Sequence, residues 1–408
     1  MFEYLMRFKE KYPQRKFYQL IDKVYDKDNL KESWTKVKSN MGCAGIDKES
    51  ILDFWSQKDQ KFSEIERQLR NDSYTPLPVL RKCIPKSNGK LRPLGIPIVK
   101  DRVIQQATKN VIEQIFEAKF MNCSYGFRPS RNAHQAVTQI MEYLNQGFTW
   151  VVDADIKSFF DNVDHDILMR LVAEEIADGK ILNLIEQWLK AGVMNEGRLE
   201  ATEVGTPQGG VISPLLANIY LHEMDKVISA FPNVKLIRYA DDFVILCKTK
   251  WMANQMMAVV NKAIVNLKLE LNSEKTRIVN SKEDTFEFLG FCFGFNRGKL
   301  AIKPRQKSLI KFKDTVKIMT KRHNPLKPKD MIYRLNRVIR GWGNYFKIAC
   351  CTSLFKQLDV WIRTRCRTFI EKRKSRYANS RLPNIVLKRE YKLASLITLV
   401  SSFPDKGQ

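Results

Sequence analysis

Leu236–Cys247 has the composition of a β-strand, yet its centre holds Ala240-Asp241-Asp242. Adjacent carboxylates flanked by Ile237 and Val244-Ile245-Leu246 repel one another and are costly in an apolar hairpin. A second strand, Thr149–Ile156, also runs into acid, as Asp153-Ala154-Asp155-Ile156-Lys157-Ser158-Phe159-Phe160-Asp161. Divalent cations make such placements tolerable. A hard ion such as Mg2+ takes few carboxylates and keeps positions for substrate phosphates and water. Two ions about 4 Å apart stabilise both the attacking and the leaving oxygens of an in-line phosphoryl transfer. The plain alternative, for the second cluster alone, is a turn with a solvated Asp pair.

The rest of the chain sets these strands in a mixed α+β context. Phe17, Leu20, Ile21 and Val24 carry a helical stripe that Leu30–Val37 continues, so the first 70 residues are expected to be mainly helix. Five prolines between Pro76 and Pro97 exclude a continuous helix there. Val79–Ile84 is extended, and Ser87-Asn88-Gly89-Lys90 signals a hairpin turn. Helices are expected over 101–120, 132–146, from about His165, over 180–191 and over 251–269. Phe286–Phe295 is strand-like, and the chain beyond 300 is expected to be wholly helical until Pro383.

Charge is unevenly spread. Of a formal +26, residues 297–408 carry 29 Lys+Arg against 6 Asp+Glu, or +23, leaving 41 against 38 for residues 1–296. Trp342, Tyr345, Phe346, Trp361 and Phe369 are interleaved with that charge. Helices with one apolar and one basic face can pack on a domain while gripping a phosphate backbone, which points to nucleic acid. A solvated helix face is the bland reading. With 44% hydrophobic residues the chain is globular, and no apolar run approaches the roughly 18 residues of a membrane span. The N-terminus lacks the pattern of an export signal, and the eight cysteines show no CxxC pair, so a cytoplasmic protein with reduced thiols is expected.

Further motifs occur in a fixed order: Arg92-Pro93-Leu94-Gly95-Ile96-Pro97, Tyr125-Gly126-Phe127-Arg128-Pro129, Gly205-Thr206-Pro207-Gln208-Gly209-Gly210 running on to Asn218, and Phe288-Leu289-Gly290-Phe291. With the two acidic clusters, these resemble bacterial group II intron reverse transcriptases, or maturases, from about Asp28 to Lys374. The resemblance implies a right-hand polymerase with an antiparallel palm sheet and a helical thumb. Fingers and an N-terminal extension would occupy 1–150, the palm 151–296 with a fingers insertion near 166–205, the thumb 297–376 and a basic tail 377–408.

It also implies roles. Asp155, Asp241 and Asp242 would be catalytic and hold two Mg2+ ions, or Mn2+ in substitution, with the carbonyl of Ile156 as a further ligand; spacing alone leaves Asp153 and Asp161 open. Phe160 would exclude a 2′-hydroxyl and so select dNTPs, its other role being packing beside Phe159. Lys86 and Arg92 would hold the triphosphate, Gln208 would close on the nucleotide, and Lys275 would protonate pyrophosphate, although it could equally be an exposed lysine after a helix. Phe288, Leu289, Gly290 and Phe291 would form a primer grip, and Arg340, Trp342, Tyr345, Arg363, Arg365 and Arg367 would line the thumb along the duplex. Expected partners are a structured RNA, intron or non-coding, the RNA template with its cDNA–primer duplex, and dNTPs, with no membrane. No H-N-H-like or paired-cysteine pattern precedes Gln408, so endonuclease activity is not expected. The chain's programme is either intron mobility or a free-standing role in anti-phage defence. The alternative activity is that of an RNA-binding maturase that assists splicing, with polymerisation secondary.

Overall fold

The computed structural model describes residues 15–85, 91–195, 198–200, 204–206, 209–349, 351–372 and 381–400. The chain divides into two compact units. One comprises Met1–Asn132, Ala154–Ile245 and Trp251–Arg277, the other Ala133–Asp153, Leu246–Lys250 and Ile278–Gln408.

In the first unit, β1 (Val79–Pro85) and β2 (Leu91–Ile96) pair antiparallel from Leu80↔Ile96 to Pro85↔Leu91, with the expected turn at 87–90 outside the described residues. With the short strands β4 (Val193–Asn195) and β5 (Arg198–Glu200) they make a sheet of order β2-β1-β4-β5. The helix Val99–Glu117 is buried on most of its circumference, through Val103, Ile104, Ala107, Val111 and Ile112. Asp101, buried on this helix, accepts from the Tyr74 hydroxyl at 2.7 Å and from the Leu77 N–H at 3.2 Å. Helices Lys27–Ser39 and Ile51–Ser56 begin at Asp26 and Ser50, whose side chains accept otherwise unpaired N–H groups of the first turn.

Sequence periodicity misplaces one segment of this unit. Phe17 is buried as expected, but it lies in a parallel bridge with Ile176, and helix starts only at Ile21. Gln19, at φ 54°, turns the chain between the two. Burial every third or fourth residue was satisfied by a bridge followed by a turn.

The strands that carry the acidic clusters are β3 (Trp150–Asp155), β6 (Val234–Tyr239) and β7 (Asp242–Cys247); with β8 (Arg277–Asn280) they form a sheet of order β6-β7-β3-β8.

The second unit is built on β9 (Phe286–Phe288), β10 (Phe291–Asn296) and β11 (Lys299–Pro304), in the order β11-β10-β9. The expectation of helix throughout residues 300–383 fails at β11, which pairs with β10 from Asn296↔Lys299 to Phe291↔Pro304. Helices Gln306–Met319, Pro328–Phe346 and Thr352–Ile370 follow, burying Phe312, Val316, Leu335, Ile339, Phe355 and Phe369. Gly343 lets the chain near its end approach: a Cβ there would lie 2.6 Å from Leu399 Cδ1 and 2.7 Å from Leu396 Cδ2. Among the described residues no helix is long and apolar enough to cross a membrane.

Candidate active site

β6 and β7 are joined by Ala240 and Asp241 alone, so the two acidic residues sit at the tip of a hairpin: Asp241 in the turn, half-buried, and Asp242 as the exposed first residue of β7. Ala240 adopts φ 58°, a left-handed conformation that costs a residue with a Cβ about 1–2 kcal/mol.

Asp155 ends β3, where the chain beyond it pairs with 270–272. The Asp155 carbonyl accepts from the Asn272 N–H at 2.8 Å, and the Lys157 N–H donates to the Glu270 carbonyl at 2.9 Å. These bonds flank the Ile156↔Leu271 bridge and leave the carbonyl of Ile156 out of that pairing. The carboxylate of Asp155 accepts from Lys275 Nζ at 2.7 Å and from Asn272 Nδ2 at 3.3 Å. Asn272 was not singled out from the sequence; its place in Leu271-Asn272-Ser273 after a helix looks like any loop asparagine.

Burial, and then the nearby charge of Asp155, raise Asp241 above the ordinary carboxylate range, while Arg92 and Arg238 act in the opposite direction. The fold therefore brings Asp155 and Arg92, from segments widely separated in sequence, within electrostatic reach of Asp241. Burial pushes the Cys123 and Cys247 thiols up to about 12.

Phe160 is half-buried in the short 3-10 turn Phe159–Asp161, its ring centroid 5.2 Å from the buried Phe159 in an edge-on arrangement. The glycine-rich loop is anchored on both shoulders. The Thr206 N–H donates to the Phe160 carbonyl at 2.8 Å, and a Cβ on Gly205 would lie 2.9 Å from that same oxygen. On the far side Gly209, at φ 130°, packs so close to β2 that a Cβ would lie 2.5 Å from the Gly95 carbonyl. Gln208 and Lys86 lie outside the described residues.

In the second unit, Leu289 (φ 49°) and Gly290 (φ 80°) form the two-residue turn between β9 and β10. Their carbonyls accept from the Tyr345 hydroxyl at 2.8 Å and the Arg305 N–H at 2.9 Å. Phe288 is buried, and Phe291 packs against Tyr345 and Phe346 at 5.3 and 4.9 Å between centroids. Trp342 stacks on Phe312 at 4.4 Å and touches Phe355, so its ring serves the packing of this unit. Arg340 is exposed, with Arg334 and Arg337 on the same helix face; these last two were not singled out from the sequence. Arg365 caps the helix Gln306–Met319 by donating to the Thr320 hydroxyl at 3.0 Å and the Lys317 carbonyl at 3.2 Å. Arg363 lines a cavity of about 470 Å³ with Arg340, Asp359 and Lys388. Arg367 corrects the expectation of a solvent-facing cation. It is 5% exposed and spends its guanidinium on the Leu382 carbonyl and Asn384, at 2.8 and 2.6 Å.

Carboxylates stand at two strand ends, with Lys275 on Asp155 and Arg92 within electrostatic reach of Asp241, an arrangement compatible with metal-assisted phosphoryl transfer. Comparison with known proteins agrees. The family described as Reverse transcriptase (RNA-dependent DNA polymerase) matches residues 84–293, and the Group II intron, maturase-specific domain matches residues 309–383. Protein YkfC of Escherichia coli (strain K12) is 38% identical over 261 residues, covering 55% of this chain and 68% of that protein. The group II intron-encoded protein LtrA of Lactococcus lactis subsp. cremoris is 33% identical over 317 residues, covering 60% of this chain and 52% of that protein. The chain thus spans about half the length of LtrA. It belongs to the reverse transcriptase family, in its group II intron type, and is an RNA-directed DNA polymerase.

Membership implies use of a divalent metal in general. The donor chemistry suits a hard cation, since the carboxylates of Asp155, Asp241 and Asp242 stand at the ends of neighbouring strands. Among the described residues no three His, Cys, Asp or Glu side chains converge tightly enough to hold an ion by themselves.

Proposed function

We propose that this chain copies a structured RNA into cDNA with Asp155, Asp241 and Asp242 as the ligands of Mg2+, helped by the carbonyl of Ile156. The observation that carries this reading is geometric: Asp155 ends β3, and Asp241 and Asp242 sit at the tip of the β6–β7 hairpin, with β7 and β3 neighbours in one sheet. When bound, the ions would neutralise charge on the attacking and leaving oxygens. The chain's own groups do the rest. Arg92 offers a planar fork to the triphosphate. Phe160, seated on Phe159, limits space at the sugar 2′ position. Lys275 is positioned at Asp155 to deliver a proton to pyrophosphate. The Leu289–Gly290 turn seats the primer end, and the exposed arginines of Pro328–Phe346 hold the duplex backbone. In this reading the fingers, palm and thumb occupy 1–150, 151–296 and 297–376.

The test is extension of a DNA primer on an RNA template, with Mg2+ or with EDTA, by wild type, Asp155→Asn and Asp241→Asn. Both variants should lose at least about 10³-fold in rate while still binding RNA. Extension by either near the wild-type rate would sink the assignment. A second role, assisting the splicing of an intron RNA, is favoured by the maturase-specific match at 309–383. Sequencing RNA that co-purifies with the protein distinguishes an intron from a short non-coding transcript.

A further inference from the structure

Arg238 is fully buried, as is its partner Asp225. A guanidinium taken out of water costs several kcal/mol unless its donors are matched. Here Nε donates to Asp225 Oδ1 at 2.8 Å and Nη2 to Oδ2 at 2.5 Å. The remaining nitrogen, Nη1, donates to Asn218 Oδ1 at 2.9 Å and to the carbonyl of Ala240 at 3.0 Å. Asn218 and Asp225 are seven residues apart on the helix Ser213–Ser229, so both project from one face.

The same asparagine reaches further. Asn218 Nδ2 donates to the Gly126 carbonyl at 2.8 Å, and a Cβ on Gly126 would lie 2.3 Å from the Ala240 nitrogen. Main-chain bonds at 2.8 Å from Arg238 N–H to Cys123 and from Tyr125 N–H to Arg238 bind that segment along the end of β6. The Ala240–Asp241 peptide is therefore gripped at its oxygen by Arg238, while the chain just before it is backed by Gly126. The orientation of that peptide sets where the Asp241 side chain points. Apolar side chains of similar volume could replace the ion pair at no cost in stability. They could not donate to the carbonyl of a residue held at φ 58°.

We infer that Arg238, anchored by Asp225 and Asn218, is a positioning residue that locks the Ala240–Asp241 peptide and so aims the Asp241 carboxylate. It touches neither substrate nor reacting atoms, and the inference rests on Asp241 being catalytic.

The decisive variant is Asp225→Leu/Arg238→Met, which removes both charges together and leaves neither orphaned. It should melt near the wild-type temperature and bind primer–template and dNTP with unchanged affinity. Its single-turnover incorporation rate, per molecule counted by active-site titration, should fall about 10²-fold, as misplacement of a reacting group does. A folded double variant with the wild-type rate overturns the inference. If it does not fold, Asn218→Ala decides: a loss of about tenfold in kcat with KM unchanged supports the lock, and a wild-type kcat overturns it. Asp241→Asn runs alongside. If that variant retains activity, the assignment of the site has failed; if it is inactive while the double variant is normal, only the positioning role has.

Discussion

Lys275 donates its ammonium to the carboxylate of Asp155 at 2.7 Å, although 120 residues separate them in sequence. The pairing follows from backbone geometry: the 270–272 segment bridges the chain beyond β3, and the turn after it brings the lysine back. A cation on that oxygen competes with any other cation for it, and the Lys275 ammonium is a proton donor in contact with Asp155.

Lys275→Ala should accordingly have two effects of opposite sign. Mn2+ binding without nucleotide, followed by titration calorimetry, should tighten because a competing charge is gone. Incorporation should slow about 10²-fold, in the range lost with a general acid. Slower incorporation with unchanged metal affinity would leave the acid role standing and remove the competition.

Phe160→Ala should admit ribonucleotides. The ring is half-buried and braced edge-on by Phe159, so it cannot easily yield to a 2′-hydroxyl. Competition between paired dNTPs and rNTPs would show the ratio falling at least tenfold. An unchanged ratio in an active variant places the gate elsewhere.

Arginines of the second unit should separate into two classes. Replacing the exposed Arg334, Arg337 and Arg340 together by Gln should make the slope of log affinity against log salt shallower by about 3, with shorter products. Arg367→Gln should leave that slope alone and lower the unfolding midpoint, because its bonds to Leu382 and Asn384 are internal. A changed slope for Arg367→Gln, or an unchanged one for the triple variant, would contradict the division.

Asp101 should make stability depend on pH near neutrality. Burial raises its carboxyl to about 6, against the opposing bonds from Tyr74 and Leu77. The folded state thus holds this proton more tightly than the unfolded chain does. Its contribution is complete below the unfolded value near 4 and is lost as pH rises through about 6, on the order of 3 kcal/mol in all. Denaturant unfolding of wild type and Asp101→Asn at pH 5, 6 and 7 should show wild type losing stability relative to the variant as pH rises. Parallel curves would assign the titration to another group.

Sequence alone was sufficient wherever local chemistry decides the outcome. The strands β1, β3, β6 and β7 and the acids at their ends were legible because a period of two and a charge at a strand end depend on nearest neighbours. The ordered motifs, Arg92 to Phe291, carried the family, which the comparisons bear out. Tertiary structure decided what depends on a distant partner. Phe17 met Ile176 and became a bridge, and β11, polar enough to pass for a helix start, was claimed by the edge of β10. Arg367, one of three alternating arginines indistinguishable in sequence, was drawn inward by the carbonyl of Leu382. Nothing in the sequence marks Arg238; only the helix Ser213–Ser229, laid against β6, supplied the carboxylate and amide that let it be buried and reach Ala240. Periodicity tells which residues leave water, but a buried polar group is stable only with its matching partner, and folding in three dimensions chooses that partner.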